Sequence, residues 1–86
     1  MKKIAVHLAE GFEEIEAISI IDVLRRADLK VEIVSVSGNF VVTGSHNIKI
    51  MADSLFENVD YNLIEEVFVI KKEPDTELVE LLEGNK

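Results

Sequence analysis

The segment LAEGFEEIEA, residues 8–17, places four carboxylates within seven positions: Glu10, Glu13, Glu14 and Glu16. Carboxylates three positions apart share a helix face, so this spacing could bind a divalent cation. The same residues could instead stabilise the positive end of a helix dipole, or include one carboxylate with a specific chemical role. No histidine lies at ligand spacing in this segment. We therefore predict neither a metal site nor a cofactor here.

The two histidines and a glycine offer further chemistry. His7 lies within an apolar segment, where a histidine is more often a hydrogen-bonded core residue than an acid–base group. His46 follows Ser45 in a turn, so we expect it to be exposed; adjacent residues rarely orient as nucleophile and base, which argues against a catalytic pair. Gly11 could begin a phosphate-binding turn, but no G-x-G-x-x-G motif follows and the nearby acids would repel phosphate.

Composition limits the classes of function. The 86 residues include 17 acidic and 9 basic side chains, and the net charge of −8 disfavours binding to nucleic acid or anionic membranes. No apolar run approaches the roughly 20 residues of a membrane span, and the start lacks a signal-peptide pattern, so we expect a cytoplasmic protein. The absence of cysteine excludes disulfides, zinc–thiolate sites and thiol nucleophiles within this polypeptide.

The elements that position these residues follow from hydrophobic periodicity. Residues 3–8 form a short apolar run typical of a buried strand, and residues 13–27 show the three- and four-residue steps of an amphipathic helix. Residues 30–36 alternate and are rich in β-branched side chains. Together they predict a βαβ unit with parallel strands.

The remainder of the chain predicts a hairpin, a strand and a helix. Turn residues separate two short strands within residues 40–50, Asp53 is expected to cap a short turn, and residues 66–70 read as a third buried strand. Pro74 favours a helix start and Gly84 a helix end. Between them, Leu78, Leu81 and Leu82 give one apolar face. We therefore predict a single α/β domain over residues 1–86.

Three strings, GFEEIEA, DVLRRA and VTGSHNIKI, resemble the N-terminal portion of the ThiJ/PfpI superfamily over about residues 2–70. The resemblance implies a flavodoxin-like three-layer α/β sandwich, shortened here, which is usually dimeric. It also implies that Glu16 is the carboxylate that hydrogen-bonds the family's reactive cysteine, with Glu13 and Glu14 as solvated neighbours. In many relatives the motif helix and the hairpin build the dimer contact, which would bring His46 near the Arg25/Arg26 helix end.

The sequence departs from the family pattern after residue 70. The family has a Pro-Gly-Gly loop here, followed later by its nucleophilic cysteine and a partner histidine, whereas this chain continues KKEPDTE and contains no cysteine. We therefore expect a non-catalytic oligomeric or interaction module. The alternative is part of a split or truncated glyoxalase, deglycase or peptidase-type enzyme completed by another chain. An uncovered sheet edge favours pairing with a second copy or with a complementary chain.

Overall fold

The structure is a computed structural model that describes residues 2–71. The bounds of its elements are β1 (Lys3–Leu8), α1 (Glu14–Arg26), β2 (Val31–Ser35), β3 (Val41–Thr43), β4 (Lys49–Met51), β5 (Ser54–Leu55), the 3₁₀-helices Phe56–Asn58 and Tyr61–Leu63, and β6 (Ile64–Ile70). The helix predicted from Pro74 lies outside the described residues. For the same reason, the assignment of residues 1–86 to one domain stays a prediction.

The helix α1 begins and ends within one residue of the predicted bounds. Glu13 caps it, because its carboxylate accepts hydrogen bonds from the backbone amides of Ile15 and Glu16. Arg25 and Arg26 occupy the last turn, where cations stabilise the negative end of the helix dipole. Within residues 2–71, no helix is both long and apolar enough to span a membrane.

The main sheet has four parallel strands in the order β5-β2-β1-β6. Strand β1 is central, and its His7 aligns with Val34 of β2 on one side and Val69 of β6 on the other. Strands β3 and β4 form a separate antiparallel hairpin in which Val42 lies opposite Ile50. These pairings confirm the predicted α/β fold with a parallel sheet and a hairpin.

The core lies between α1 and one face of the sheet, which we call face A. Val6 and Leu8 of β1 pack there with Ala17 and Ile21 of α1. Among residues 2–71, the largest fully buried side chain is that of Phe12, in the turn that leads into α1. Burying an aromatic ring of this size stabilises the fold by roughly 2–3 kcal/mol, which anchors this turn to the core.

The opposite face of the sheet, face B, is only partly covered. The two 3₁₀-helices contribute the rings of Phe56 and Tyr61, which lie beside His7 of β1. Together with Val67 and Val69 of β6, and with Val36, these rings line an open apolar groove of about 410 Å³. Face B therefore presents apolar side chains at the β6 side of the sheet.

Residues 66–70 were predicted to form a buried strand. The strand is present, but the prediction that it is buried is wrong. Strand β6 exists, but it lies at the edge of the four-stranded sheet, and Val67 and Val69 are 48% and 56% exposed. Within residues 2–71, only β1 pairs with β6. Its apolar sequence is that of an interior strand, while its place in the sheet is that of an edge strand.

The predicted capping role of Asp53 is also wrong. Its carboxylate accepts a hydrogen bond of 2.8 Å from the backbone amide of Ile33 in β2, and the next residues, Ser54–Leu55, pair with β2 as the short strand β5. The 3₁₀-helix that follows has no side-chain cap. The reason is spatial: Asp53 lies beside β2, so a strand amide becomes its hydrogen-bond partner.

Candidate functional site

Glu16 lies in the first turn of α1 with an exposed side chain. Within residues 2–71 its carboxylate makes no hydrogen bond or ion pair. The chain contains no cysteine that could approach it. Its role as the carboxylate partner of a thiol therefore stays a prediction that comes from the family resemblance.

Glu14 contradicts the expectation that it is a solvated neighbour of Glu16. Glu14 is only 3% exposed, and its side chain points toward the turn that joins β3 to β4. Glu13 is half-buried and caps the helix. The helix geometry explains the difference, because successive side chains on a helix point in different directions and Glu14 is the one that faces the hairpin.

The carboxylate of Glu14 is fully engaged by the turn at residues 44–48. Oε2 accepts hydrogen bonds from the backbone amides of His46 (2.6 Å) and Ile48 (3.4 Å). Oε1 accepts from the hydroxyl of Ser45 and lies 3.0 Å from Nδ1 of His46. This arrangement satisfies both oxygens of a buried charge, which is the condition under which such burial is tolerated.

These contacts set the protonation state of Glu14. Burial raises the pKa of the carboxyl group. Hydrogen bonds from the side chain and backbone of His46 and from the hydroxyl of Ser45 together lower this pKa by more than burial raises it. The net effect lowers the pKa of Glu14 from 4.5 to about 2. Glu14 is therefore ionised at neutral pH and acts as a hydrogen-bond acceptor, not as a proton donor.

Ser45 and His46 approach each other despite being adjacent, so the geometric reason for rejecting a catalytic pair is wrong. Oγ of Ser45 lies 3.0 Å from Nδ1 of His46. In a catalytic triad, however, one ring nitrogen faces the nucleophile and the other faces the acid. Here the same Nδ1 faces both Ser45 and Glu14, and the Ser45 hydroxyl donates to Glu14. This geometry fixes the turn and does not activate a nucleophile.

Glu13, Glu14 and His46 lie close enough together to bind a metal ion, and we call these three residues the Glu14 cluster. Ligand atoms of Glu13, Glu14 and His46 all lie within 4.8 Å of one another, so the histidine joins the acidic segment in space although it is distant in sequence. Glu13, however, already accepts hydrogen bonds from two helix amides, and Glu14 accepts from the hairpin. A cation would have to displace bonds that hold the helix and the hairpin together.

The backbone of Gly44 passes close to the carboxylate of Glu14. A Cβ atom at this position would lie 2.5 Å from the carboxyl carbon of Glu14. The backbone of the same turn is tied to the strand–helix connection, because Gly11 donates to the carbonyl of Thr43 at 2.7 Å and Ser45 donates to that of Phe12 at 2.9 Å. Glycine at residue 44 is the sequence signal that a side chain packs against this turn.

His7 is buried and hydrogen-bonded, as predicted. Its Nε2 lies 2.5 Å from the hydroxyl of Tyr61, and its Nδ1 lies 3.3 Å from the carbonyl of Phe68. A carbonyl can only accept, so Nδ1 carries the proton and the Tyr61 hydroxyl donates to Nε2. The ring of Tyr61 stacks nearly parallel to that of His7, with ring centroids 5.8 Å apart. Both ring nitrogens have structural partners.

Comparison with known proteins relates these features to a family. The sequence model of the DJ-1/PfpI family matches residues 2–70. Protein DJ-1 homolog A of Arabidopsis thaliana is 44% identical over 57 residues, which cover 66% of this chain and 14% of that protein. Protein DJ-1 homolog B of the same plant is 38% identical over 60 residues, which cover 70% of this chain and 14% of that protein. The matched segment is a small fraction of these relatives.

Solved structures share the fold. Oxidized DJ-1 of Toxoplasma gondii superposes with a TM-score of 0.78 at 30% identity, covering 99% of this chain and 50% of that one. The C103A mutant of the DJ-1 superfamily protein STM1931 of Salmonella typhimurium gives a TM-score of 0.63 at 46% identity, covering 66% of this chain and 31% of that one. The chain thus spans half or less of these two structures, and the flavodoxin-like fold is confirmed.

Proposed function

Because the chain belongs to the DJ-1/PfpI family yet contains no cysteine, we propose that it is a non-catalytic module that acts through self-association. The observation that carries the proposal is the environment of Glu16. The family resemblance gives this carboxylate a reactive cysteine as its partner, and here it is exposed without one. A carboxylate beside a thiolate can hold a proton and orient the sulfur. Without sulfur, Glu16 has only the electrostatic role of an acid at a helix start.

Exposed apolar side chains support self-association. The outer surface of α1 presents Ile15, which is 75% exposed, and Ile18, and the hairpin presents Ile48. The family resemblance makes the helix and the hairpin a dimer contact, and burying these side chains against a second copy would remove apolar surface from water. We therefore propose that the binding partner of this chain is a second copy of itself.

An activity measurement tests the non-catalytic part of the proposal. We expect the purified chain to convert methylglyoxal at the rate of a buffer control, because no thiol can attack the dicarbonyl. The variant Glu16→Gln should behave identically. An enzymatic rate in the wild-type chain that is lost in Glu16→Gln would contradict the proposal and would show that Glu16 acts on the substrate by another route.

A second candidate function is one part of an enzyme that another chain completes. Strand β6 pairs on one edge only within residues 2–71, and the chain spans half or less of the two solved relatives compared above, which favours this alternative. Intact-mass analysis of the protein purified from its source would detect a co-purifying second chain. Glyoxalase activity that stays at background with that chain present would rule the alternative out.

Three further assignments remain predictions from the sequence. The net charge of −8 argues against nucleic acid as a partner, and this can be tested by mobility-shift measurements with duplex and single-stranded DNA. The same charge argues against binding to anionic membranes, which can be tested with phosphatidylserine vesicles. A cytoplasmic location can be tested by cell fractionation.

A further inference from the structure

An open pocket of about 410 Å³ lies at the end of the sheet where the parallel strands begin. Its walls come from the starts of β1, β2 and β5 and from the last turn of α1. The polar side chains that line it are those of Lys3, Arg25, Lys30, Glu32, Asp53 and Ser54. Strand β6 ends with Ile70 at the opposite end of the sheet, so the pocket lies away from the point where the chain leaves the described residues.

The pocket reverses the charge balance of the chain. It contains three cationic side chains and two carboxylates, whereas the whole chain has 17 acidic and 9 basic residues. Positive charge that is gathered in a concave site attracts anions locally, even on a protein of negative net charge. The volume of the pocket is in the range of small-molecule sites. Its charge and size therefore favour a small anion as ligand.

Both carboxylates of the pocket are already bound by the fold. Oε1 of Glu32 accepts a hydrogen bond of 3.1 Å from Nζ of Lys3, and the hydroxyl of Ser54 donates to the same carboxylate. Oδ2 of Asp53 accepts a hydrogen bond of 2.8 Å from the backbone amide of Ile33. These bonds join β1, β2 and β5 near their starts, so the two acids act as structural acceptors.

Two of the cationic side chains have hydrogen-bond donors that the fold does not use. Nη2 of Arg25 lies 3.9 Å from Oδ2 of Asp53, which is an ion-pair contact but too long for a hydrogen bond. Within residues 2–71, neither the guanidinium of Arg25 nor the ammonium of Lys30 donates a hydrogen bond. Both groups carry several N–H donors and cannot accept. The chemical group that matches this excess of donors is an oxyanion, whose oxygens accept.

We propose that this pocket binds a small molecule through its carboxylate or phosphate group, with Arg25 and Lys30 as the charged donors. The planar guanidinium can donate two parallel hydrogen bonds to two oxygens of such a group, and the ammonium adds a further charge-assisted bond. Asp53 opposes the bound anion through its like charge, which limits the affinity. The site lies at the opposite end of the sheet from Glu16, and it does not depend on the self-association proposed above.

A titration followed by amide NMR spectra tests the site, with inorganic phosphate and acetate as separate probes and sodium chloride of equal ionic strength as the blank. We expect saturable shifts at the amides of Val31 and Ser54, and the probe with the lower dissociation constant identifies the group that the pocket prefers. Arg25→Gln and Lys30→Gln should each raise this constant roughly tenfold, because each removes a charge-assisted hydrogen bond. Shifts that do not saturate, or that sodium chloride reproduces, would overturn the site.

Matched variants separate local contacts from net charge. Arg26→Gln makes the same charge change as Arg25→Gln one position later, where the guanidinium is bound to Asp22 at 3.0 Å. Lys49→Gln in β4 is the corresponding control for Lys30→Gln. Both controls should change the dissociation constant by less than about twofold, because salt screens exposed charges that do not touch the ligand. Controls that weaken binding as much as the pocket variants would reduce the effect to net charge and overturn the proposal.

Asp53→Asn tests the position of the anion with the opposite sign. The substitution removes the like charge beside Arg25, while the side-chain oxygen of asparagine can still accept from the amide of Ile33. We therefore expect the dissociation constant to fall. Glu57→Gln removes one negative charge in an exposed 3₁₀-helix and should leave the constant nearly unchanged. Far-UV circular dichroism verifies the fold of each variant. Weaker binding by a folded Asp53→Asn protein would overturn the placement of the anion beside Arg25.

Discussion

The carboxylate of Glu14 joins two segments that are more than thirty residues apart in the sequence. Four hydrogen-bond contacts, from the amides of His46 and Ile48 and from the side chains of Ser45 and His46, end on its two oxygens. Removing the carboxylate would take away the acceptor of the backbone amides of His46 and Ile48. At the residue scale, Glu14 is thus a structural acceptor, and Glu16, two positions later, is an exposed acid.

Replacing Glu14 by glutamine tests this difference. The variant Glu14→Gln has nearly the same shape, but its amide nitrogen would face the backbone donors of the turn. We expect the melting temperature to fall by roughly 5–10 °C, measured by circular dichroism. The control Glu16→Gln makes the same chemical change at an exposed position and should leave the melting temperature nearly unchanged. Equal effects of the two substitutions would contradict the structural role of Glu14.

The lowered pKa of Glu14 predicts an acid-dependent loss of stability. The pKa of Glu14 is about 2 in the folded state and 4.5 when unperturbed, so folding favours the ionised carboxylate over the protonated acid. The stability from Glu14 is complete above about pH 5. This stability is lost as the pH falls from the unperturbed pKa of 4.5 toward the folded-state pKa of about 2.

Urea unfolding between pH 5 and pH 2 measures this loss. The wild-type free energy of unfolding should fall more steeply over this range than that of Glu14→Gln, which has no group to titrate at this position. Parallel curves for the two proteins would show that Glu14 contributes nothing to the pH dependence.

At the scale of elements, the cluster fixes the hairpin β3–β4 to the beginning of α1. The backbone at Gly44 passes so close to Glu14 that any Cβ atom would overlap its carboxyl group. The side chain cannot move away freely, because its oxygens are held by the turn. The hairpin and the helix therefore act as one unit through a contact between a backbone and a carboxylate.

The substitution Gly44→Ala tests this contact. We expect it to lower the free energy of unfolding by about 1–3 kcal/mol, as overpacking of a close contact does. Glu14→Ala removes the group that the new methyl would overlap. The double variant Glu14→Ala/Gly44→Ala should therefore cost less than the sum of the two single variants in urea unfolding. Strict additivity would show that the strain at Gly44 comes from elsewhere.

At the scale of the whole molecule, the sheet formed within residues 2–71 has an open edge and a partly covered face, which leave apolar surface in water. Val67 and Val69 of β6 and Ile15 of α1 are exposed on different sides of the protein. A chain of this size has a limited core, so the self-association that we propose would add to its stability.

Self-association predicts a melting temperature that depends on protein concentration. Each tenfold rise in concentration should add roughly 1.4 kcal/mol to the stability of the dimer, because only the folded chain associates. Differential scanning calorimetry over a hundredfold range of concentration measures the effect. A melting temperature that stays constant over this range would contradict self-association of the folded chain.

Local sequence patterns determined most of the secondary structure. The apolar run of β1, the three- and four-residue periodicity of α1 and the alternation of β2 predicted their bounds to within one residue, because these patterns reflect interactions among neighbours in the chain. The motif GFEEIEA and its companions also determined the family, and hence the fold. The absence of cysteine, read directly from the composition, set the limit on its chemistry.

Tertiary structure alone decided which acid is buried and which strand lies at the edge. Helix periodicity alone does not separate Glu14 from Glu16, and Glu14 is buried because the turn of the hairpin, more than thirty residues later, brings its hydrogen-bond donors to this carboxylate. The apolar sequence of β6 likewise predicts burial, whereas its neighbours in space decide its exposure. Both properties depend on contacts between segments distant in the chain, which local patterns do not encode.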